Sequence, residues 1–335
     1  MKVAVLGPGG VGGLVAGALD RARTPVTVVA RAATAETISE KGLSVSSALL
    51  GDFLAHPPAT AQLEQSVDAL IVATKAAGLQ EALERIGVAP KLVLPLLNGL
   101  DHVAVLRERF APETVVSGTI RVEADRPEPG VVVHTSKFLR VDMASRYPSA
   151  RAAMERLAST LSEAGIPARV YPPIDPATSL KERAASTTRQ PNTLPAERGV
   201  ALTDGGEAQV MWSKLVRLNA LACTTSAYDK LLGEIRSTPE LRADLVGAIE
   251  EGCAVAQAEG AAIATGDPLG ELTAAHDTLG SSMQRDIAAG RPPELDAIPG
   301  SVLRAAARHG IECPTIERLV AMVAARAVIA SPSVS

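Results

Sequence analysis

Apolar residues come in short unbroken runs through the first third of the chain. Val3-Ala4-Val5-Leu6 is one, bounded by Gly7; residues 26–30, 69–73, 92–94 and 114–118 repeat the texture. Such runs, without polar alternation, suit strands buried on both faces of a parallel sheet. Between them the spacing predicts helices over 10–19, 78–85 and 102–110. Strands alternating with helices predict a parallel sheet covered by helices.

After Gly118 the texture changes. Residues 131–134 and 138–143 read as two short strands around a turn, paired antiparallel; 149–164 reads as a helix and 168–171 as a last strand. From Ala208 onward the pattern is helical over 210–222, 269–275, 281–290, 295–309 and 314–330. A further helix opens at Thr238-Pro239, with Thr as cap and Pro in the first helical position, and runs to Gly260. No strand is expected in this part. Between the two textures lies 172–206, which holds Pro172, Pro173, Pro176, Pro191 and Pro195 among serines and threonines. It reads as a linker or insertion, and a lid or interface arm is the alternative. The expected organisation is therefore residues 1–171, an α/β Rossmann-type domain; 172–206, a linker or insertion; and 207–331, an all-α domain.

Composition narrows the function. The chain has 335 residues, with 33 basic and 37 acidic, a formal charge of −4. Length alone favours two domains over one. Small mixed charge gives no electrostatic case for nucleic acid, and 2% aromatics supply no stacking platform. Cys223, Cys253 and Cys313 are odd in number and far apart, which fits packing residues in a reducing compartment. His134, His276 and His309 form no spaced ligand set, so no metal is expected. No run approaches the roughly 20 apolar residues of a membrane span, and no signal-peptide pattern opens the chain, so a cytoplasmic protein is expected. Among oligomers, a homodimer has the highest base rate.

Gly7-Pro8-Gly9-Gly10-Val11-Gly12 is a GxGxxG motif directly after a strand and opening a helix. In that context Gly7 makes the tight turn, Gly9 lets a pyrophosphate approach backbone amides, and Gly12 permits close helix–strand packing. The bland alternative is a tight turn alone. The second strand ends at Arg31 with no acid until Glu36. A guanidinium there pairs with a 2′-phosphate, which favours NADPH over NADH; a solvent-facing charge is the alternative. Lys75, Asn98 and Thr119 follow later strands, along the edge where open α/β sheets bind ligands. A surface lysine and an Asn-Gly turn are the alternatives for Lys75 and Asn98. Lys214 is a lone lysine in an apolar helix: either a proton donor to a developing alkoxide or a lysine whose stem merely packs on its neighbours.

Taken together, these positions resemble the ketopantoate reductase (2-dehydropantoate 2-reductase) family. The resemblance rests on the GxGxxG, Arg31, Lys75, Asn98-Gly99 and Trp212-Ser213-Lys214. It extends to Ser281-Ser282-Met283, Asp286, Arg291, Glu294-Leu295-Asp296 and His309-Gly310-Ile311. It implies an N-terminal Rossmann domain, a helical C-terminal domain, and NADPH-dependent reduction of ketopantoate to pantoate on the route to pantothenate and coenzyme A. It implies Lys214 as catalytic lysine, Glu294 on the substrate hydroxyl, and Ser282 on its carboxylate. Asn98 would lie near nicotinamide and substrate, and Arg31 and Lys75 on the cofactor. The family commonly has asparagines four and eight residues after the lysine, where this chain has Leu218 and Ala222. That keeps a different or bulkier 2-keto acid or ketone as the alternative substrate. A non-catalytic cofactor-binding regulatory protein is the second alternative, one that would not need Lys214, Glu294 and Ser282.

Overall fold

The computed structural model describes residues 1–172 and 206–333. The chain divides into two compact units, Met1–Leu97 with His102–Pro173, and Asn98–Asp101 with Ile174–Ser335. Four residues, 98–101, thus group with the second unit, whereas a boundary at residue 171 leaves them with the first. The expected linker or insertion at 172–206 lies, but for its two end residues, outside the described residues.

The first unit has twelve described strands: β1 (Val3–Leu6), β2 (Val26–Val29), β3 (Leu43–Ser47), β4 (Phe53–Ala55), β5 (Ala59–Thr60), β6 (Ala69–Val72), β7 (Val93–Pro95), β8 (Ser117–Arg121), β9 (Ala124–Asp125), β10 (Val131–His134), β11 (Arg140–Ala144) and β12 (Ala168–Val170). Five form a parallel sheet in the order β5-β2-β1-β6-β7. Every residue of β1 and β6 is buried, as their unbroken apolar runs require. The chain builds outward from β1 through β2 to β5, then returns to β6 on the other side. The topological switch therefore falls between β1 and β6, the edge where such sheets bind ligands.

Helix α1 (Gly10–Arg21) explains its own composition. It packs on β1 and β2 and also on β3, β4, β9 and β10 of a second sheet, ordered β4-β3-β10-β9. Sandwiched this way, all residues from Gly12 to Leu19 are buried. A Cβ on Gly13 would sit 2.6 Å from Val132 Cγ2, and one on Gly17 3.0 Å from Val45 Cγ2. Small residues let the two sheets close on the helix; larger ones would hold them apart.

Three expectations need correction here. Strands 131–134 and 138–143 are not an antiparallel pair: β10 runs parallel to β3, while β11 joins β8 and β12 in a third sheet. The run at 114–118 is not one strand; Thr114 ends a 3-10 turn and β8 begins at Ser117. Thr119 is consequently buried inside β8 rather than beyond a strand end.

A buried polar chain ties β3 to β10. Ser136 Oγ donates to the Phe138 carbonyl at 2.7 Å and lies 3.0 Å from His134 Nε2. With its proton committed, Ser136 accepts from Nε2–H, so neutral His134 accepts at Nδ1 from the Ser47 hydroxyl, 2.7 Å away. Ser47 Oγ also accepts the amides of Leu49 and Leu50. Burial pushes the His134 pKa below its usual value.

Among the described residues of the second unit every secondary-structure element is a helix. With α2 (Ala32–Lys41), α3 (Leu79–Leu83), α4 (His102–Arg109) and α5 (Arg151–Glu163) in the first unit, its helices are α6 (Glu207–Tyr228), α7 (Leu232–Ser237), α8 (Pro239–Ala258), α9 (Gly266–Ala274), α10 (Ser282–Ala288), α11 (Ser301–His309) and α12 (Pro314–Ala327). Helix α6 is the axis. Sixteen of its residues are buried, and α8, α9, α10 and α12 all pack on it. A helix buried all round must satisfy its polar groups internally. Thr224 and Thr225 do so by donating to the carbonyls of Ala220 and Leu221. Thr238 occupies the cap position of α8 but makes no side-chain cap bond, contrary to expectation. The expected helix over 295–309 begins instead as a π-helical turn, Asp296–Gly300, which holds Pro299. Cys223, Cys253 and Cys313 are all buried in this unit, and burial pushes the Cys223 and Cys313 thiols up to about 12 and Cys253 to about 11. Among the described residues, no helix is long and apolar enough to cross a membrane.

Candidate active site

The glycine loop is built from its backbone. Gly7 has φ +89°, a conformation that L side chains rarely adopt. A Cβ on Gly12 would stand 2.2 Å from the Gly7 carbonyl oxygen, and one on Gly10 2.5 Å from that of Ala124. Pro8 is buried between them. Gly9 is the exception: nothing lies within 4 Å of where its Cβ would be, so its α-carbon faces open space. The first turn of α1 leaves the amides of Gly10, Val11 and Gly12 without acceptors inside the helix. Donors at a helix N-terminus beside an open glycine fit a pyrophosphate.

Lys75 stands three residues beyond β6, exposed, ahead of the 3-10 turn Ala76–Gly78. Arg31 stands two residues beyond β2 and opens α2. Its guanidinium is engaged by Glu81 of α3, with Nε 3.3 Å from Oε1 and Nη2 3.1 Å from Oε2. Arg85 also reaches Glu81 Oε1, at 3.1 Å. The hydrogen bond from Arg31, ahead of its charge and of Arg85, holds the Glu81 carboxyl below the usual range. Sequence reasoning missed Glu81. Its i,i+4 spacing to Arg85 was the only local signal.

In the helical unit three side chains from distant points of the sequence meet. Lys214 Nζ donates to Asn98 Oδ1 at 2.9 Å, and Asn98 Nδ2 donates to Glu294 Oε2 at 3.0 Å. The ammonium can only donate and the carboxylate can only accept, so the orientation of the Asn98 amide is fixed chemically. Lys214 is held by α6 and is 9% exposed. Glu294 precedes the π-helical turn by two residues.

Asn98 is set by the segment 98–101. Gly99 has φ +85°, and a Cβ there would come 2.0 Å from the Ala297 carbonyl oxygen. Only glycine lets this segment lie on the π-helical turn. Arg304 of α11 binds both: Nη2 reaches Asp101 at 2.7 Å, and Nη1 reaches Asp296 at 2.8 Å. Neither Asp101 nor Arg304 was singled out from sequence.

Ser282 is the first residue of α10 and half-buried. Among the described residues, no hydrogen bond joins it to the Lys214–Asn98–Glu294 chain. Its neighbour Ser281 caps α10 by accepting the Gln284 amide at 3.0 Å, and its Oγ lies 2.9 Å from the Thr225 hydroxyl of α6. Asp286 and Arg291 form an ion pair at 2.8 Å, which closes the turn leading to Glu294. Helix α6 is unbroken, so Leu218, four residues on, lies about 40° from Lys214, and Asn219 about 140° away. Leu218 is half-buried, whereas Asn219 is fully buried and accepts from the Cys223 thiol at 3.4 Å. Ala222 is also fully buried.

Comparison with known proteins decides the family. The model described as ketopantoate reductase PanE/ApbA matches residues 3–144, and that of its C-terminal part matches residues 208–327. The chain belongs to the ketopantoate reductase family. It is thereby an oxidoreductase with a Rossmann-type NAD(P)-binding unit. A 2-dehydropantoate 2-reductase of Halobacterium salinarum is 28% identical over 96% of this chain and 98% of its own. Among solved structures, a 2-dehydropantoate 2-reductase of Geobacter metallireducens superposes with TM-score 0.78 at 24% identity, covering 96% of this chain and 99% of that one. A D-mandelate dehydrogenase in ternary complex with NADH and anilino(oxo)acetate superposes with TM-score 0.79 at 21% identity, covering 98% and 99%. At those identities the two structures speak to the fold.

Proposed function

We propose that the chain reduces ketopantoate to pantoate with NADPH, as a step toward pantothenate and coenzyme A. The observation that supports this reading is the hydrogen-bonded chain Lys214–Asn98–Glu294. The chemistry a nicotinamide would supply when bound is the hydride for the C2 carbon of the 2-keto acid. The protein's part is charge and protons. The Lys214 ammonium stabilises the negative charge growing on the ketone oxygen and gives it a proton, leaving a 2-hydroxy acid and a neutral amine that solvent reprotonates. Asn98, bonded on both sides, fixes where the ammonium points. Glu294 accepts from the substrate hydroxyl, and Ser282 takes the substrate carboxylate. The open Gly9 and the first-turn amides of α1 would hold the pyrophosphate, and Lys75 and Arg31 would contact the cofactor, Arg31 through the 2′-phosphate.

One observation favours a second reading. Apolar Leu218 shares the helix face of Lys214, where a hydroxylated substrate calls for a hydrogen-bonding partner. Under that reading the substrate is a 2-keto acid with an apolar, bulkier substituent. The test is the initial rate of NADPH oxidation with ketopantoate, pyruvate, 2-ketobutyrate, 2-ketoisovalerate and aromatic 2-keto acids. A dominant kcat/KM for ketopantoate supports the first reading, and a dominant aromatic or branched acid supports the second. NADPH binding with no turnover of any 2-keto acid would sink both.

A further inference from the structure

The sheet order places β1 between β2 and β6. Arg31 follows β2, and Glu81 sits on the helix that follows β6. The two strands are separated by two strand spacings, about 10 Å. Their ion pair therefore spans the carboxyl end of β1, where the glycine loop begins. In dinucleotide-binding sheets the end of the second strand meets the adenosine ribose. The group that would receive a 2′-phosphate is thus already held by a carboxylate, through Nε and Nη2 together. The side chains are 73% and 53% exposed, so the pair is weak enough for a ligand to take over.

We propose that Glu81 is a determinant of cofactor choice. Its carboxylate competes with the 2′-phosphate for Arg31 and brings NADPH and NADH affinities closer together than Arg31 alone would set them. A cofactor carrying the 2′-phosphate must displace Glu81 or bind beside its negative charge. A cofactor with a free 2′-hydroxyl leaves the pair closed. Arg85 takes part as the second cation on Glu81, ready to keep the carboxylate when Arg31 is drawn away. This inference rests on the nicotinamide-cofactor reading of the site and goes beyond it in naming what sets the preference.

The experiment is direct titration of NADPH and NADH, followed by cofactor fluorescence, into the full-length protein, Glu81→Gln, Arg31→Gln and the double variant. Glu81→Gln keeps the shape and removes the charge. It should tighten NADPH about three- to fivefold, the scale of an exposed ion pair, and leave NADH nearly unchanged. The gain should shrink as salt rises and vanish in the Arg31→Gln background. An unchanged NADPH-to-NADH ratio, or weaker NADPH binding in Glu81→Gln, overturns the proposal; the carboxylate would then be idle or steadying Arg31 for the phosphate. A wild-type protein that binds neither cofactor would bring down the cofactor reading itself, and this inference with it.

Discussion

The glycine loop and the Lys214–Asn98–Glu294 chain solve the same problem, holding a polar group in place, by opposite means. Under the proposed function the working atoms of the loop are backbone amides, and the side chains matter chiefly by being absent. In the helical unit they would be side-chain termini, brought together from positions 98, 214 and 294. The first is specified by six consecutive residues, the second by the packing of a whole unit. The loop should therefore fail through added atoms and the chain through removed ones.

The largest expected effect follows from Lys214→Ala. Loss of the proposed proton donor should lower kcat by roughly 10²- to 10⁴-fold while cofactor affinity changes little. A variant that turned over normally would show that the chemistry lies elsewhere. Next comes Gly12→Ala in the loop. Its Cβ would stand 2.2 Å from the Gly7 carbonyl oxygen, so α1 must shift off the end of β1. Stability should fall by about 1–3 kcal/mol, and calorimetry should show both NADPH and NADH binding weakened together. Unchanged binding would mean that the loop tolerates side chains and that the contrast fails. The smallest effect concerns His134. Its pKa is lowered by burial, so the unfolded chain binds the proton more readily than the folded one. Stability from this group is present above the usual histidine value of 6.5 and is lost progressively as pH falls below it. Melting curves across that range should slope less in His134→Gln than in the wild type; equal slopes would remove His134 from the acid response.

The same contrast explains what could be read from the sequence. β1 and β6 were legible because a strand buried on both faces announces itself as an unbroken apolar run, and β2 departs from that only at Thr27. β3 was not: its buried positions include Ser47, whose hydroxyl is satisfied by His134 far along the chain. β5 has two residues and no pattern to detect. The partners of β10 and β11 are chosen by tertiary packing rather than by their closeness in sequence. The π-helical turn kept the apolar spacing of an ordinary helix and was read as one. In the site, Asn98 stood out beyond a strand end and Lys214 as a lone lysine in an apolar helix, whereas the part of Glu294 came only through resemblance. Glu81 and Arg304 carry no motif, and what they do depends wholly on which residues the fold brings to them.

The excursion of residues 98–101 bears on how members of this family can be recombined. A chimera joined between residues 171 and 206 draws Asn98 from one parent and Lys214 and Glu294 from the other. Compatibility is then set not by the junction but where Gly99 lies on Ala297 and Asp101 meets Arg304. Parents that match at those four positions should exchange halves freely. Parents that differ there should yield well-folded hybrids that bind cofactor and do no chemistry.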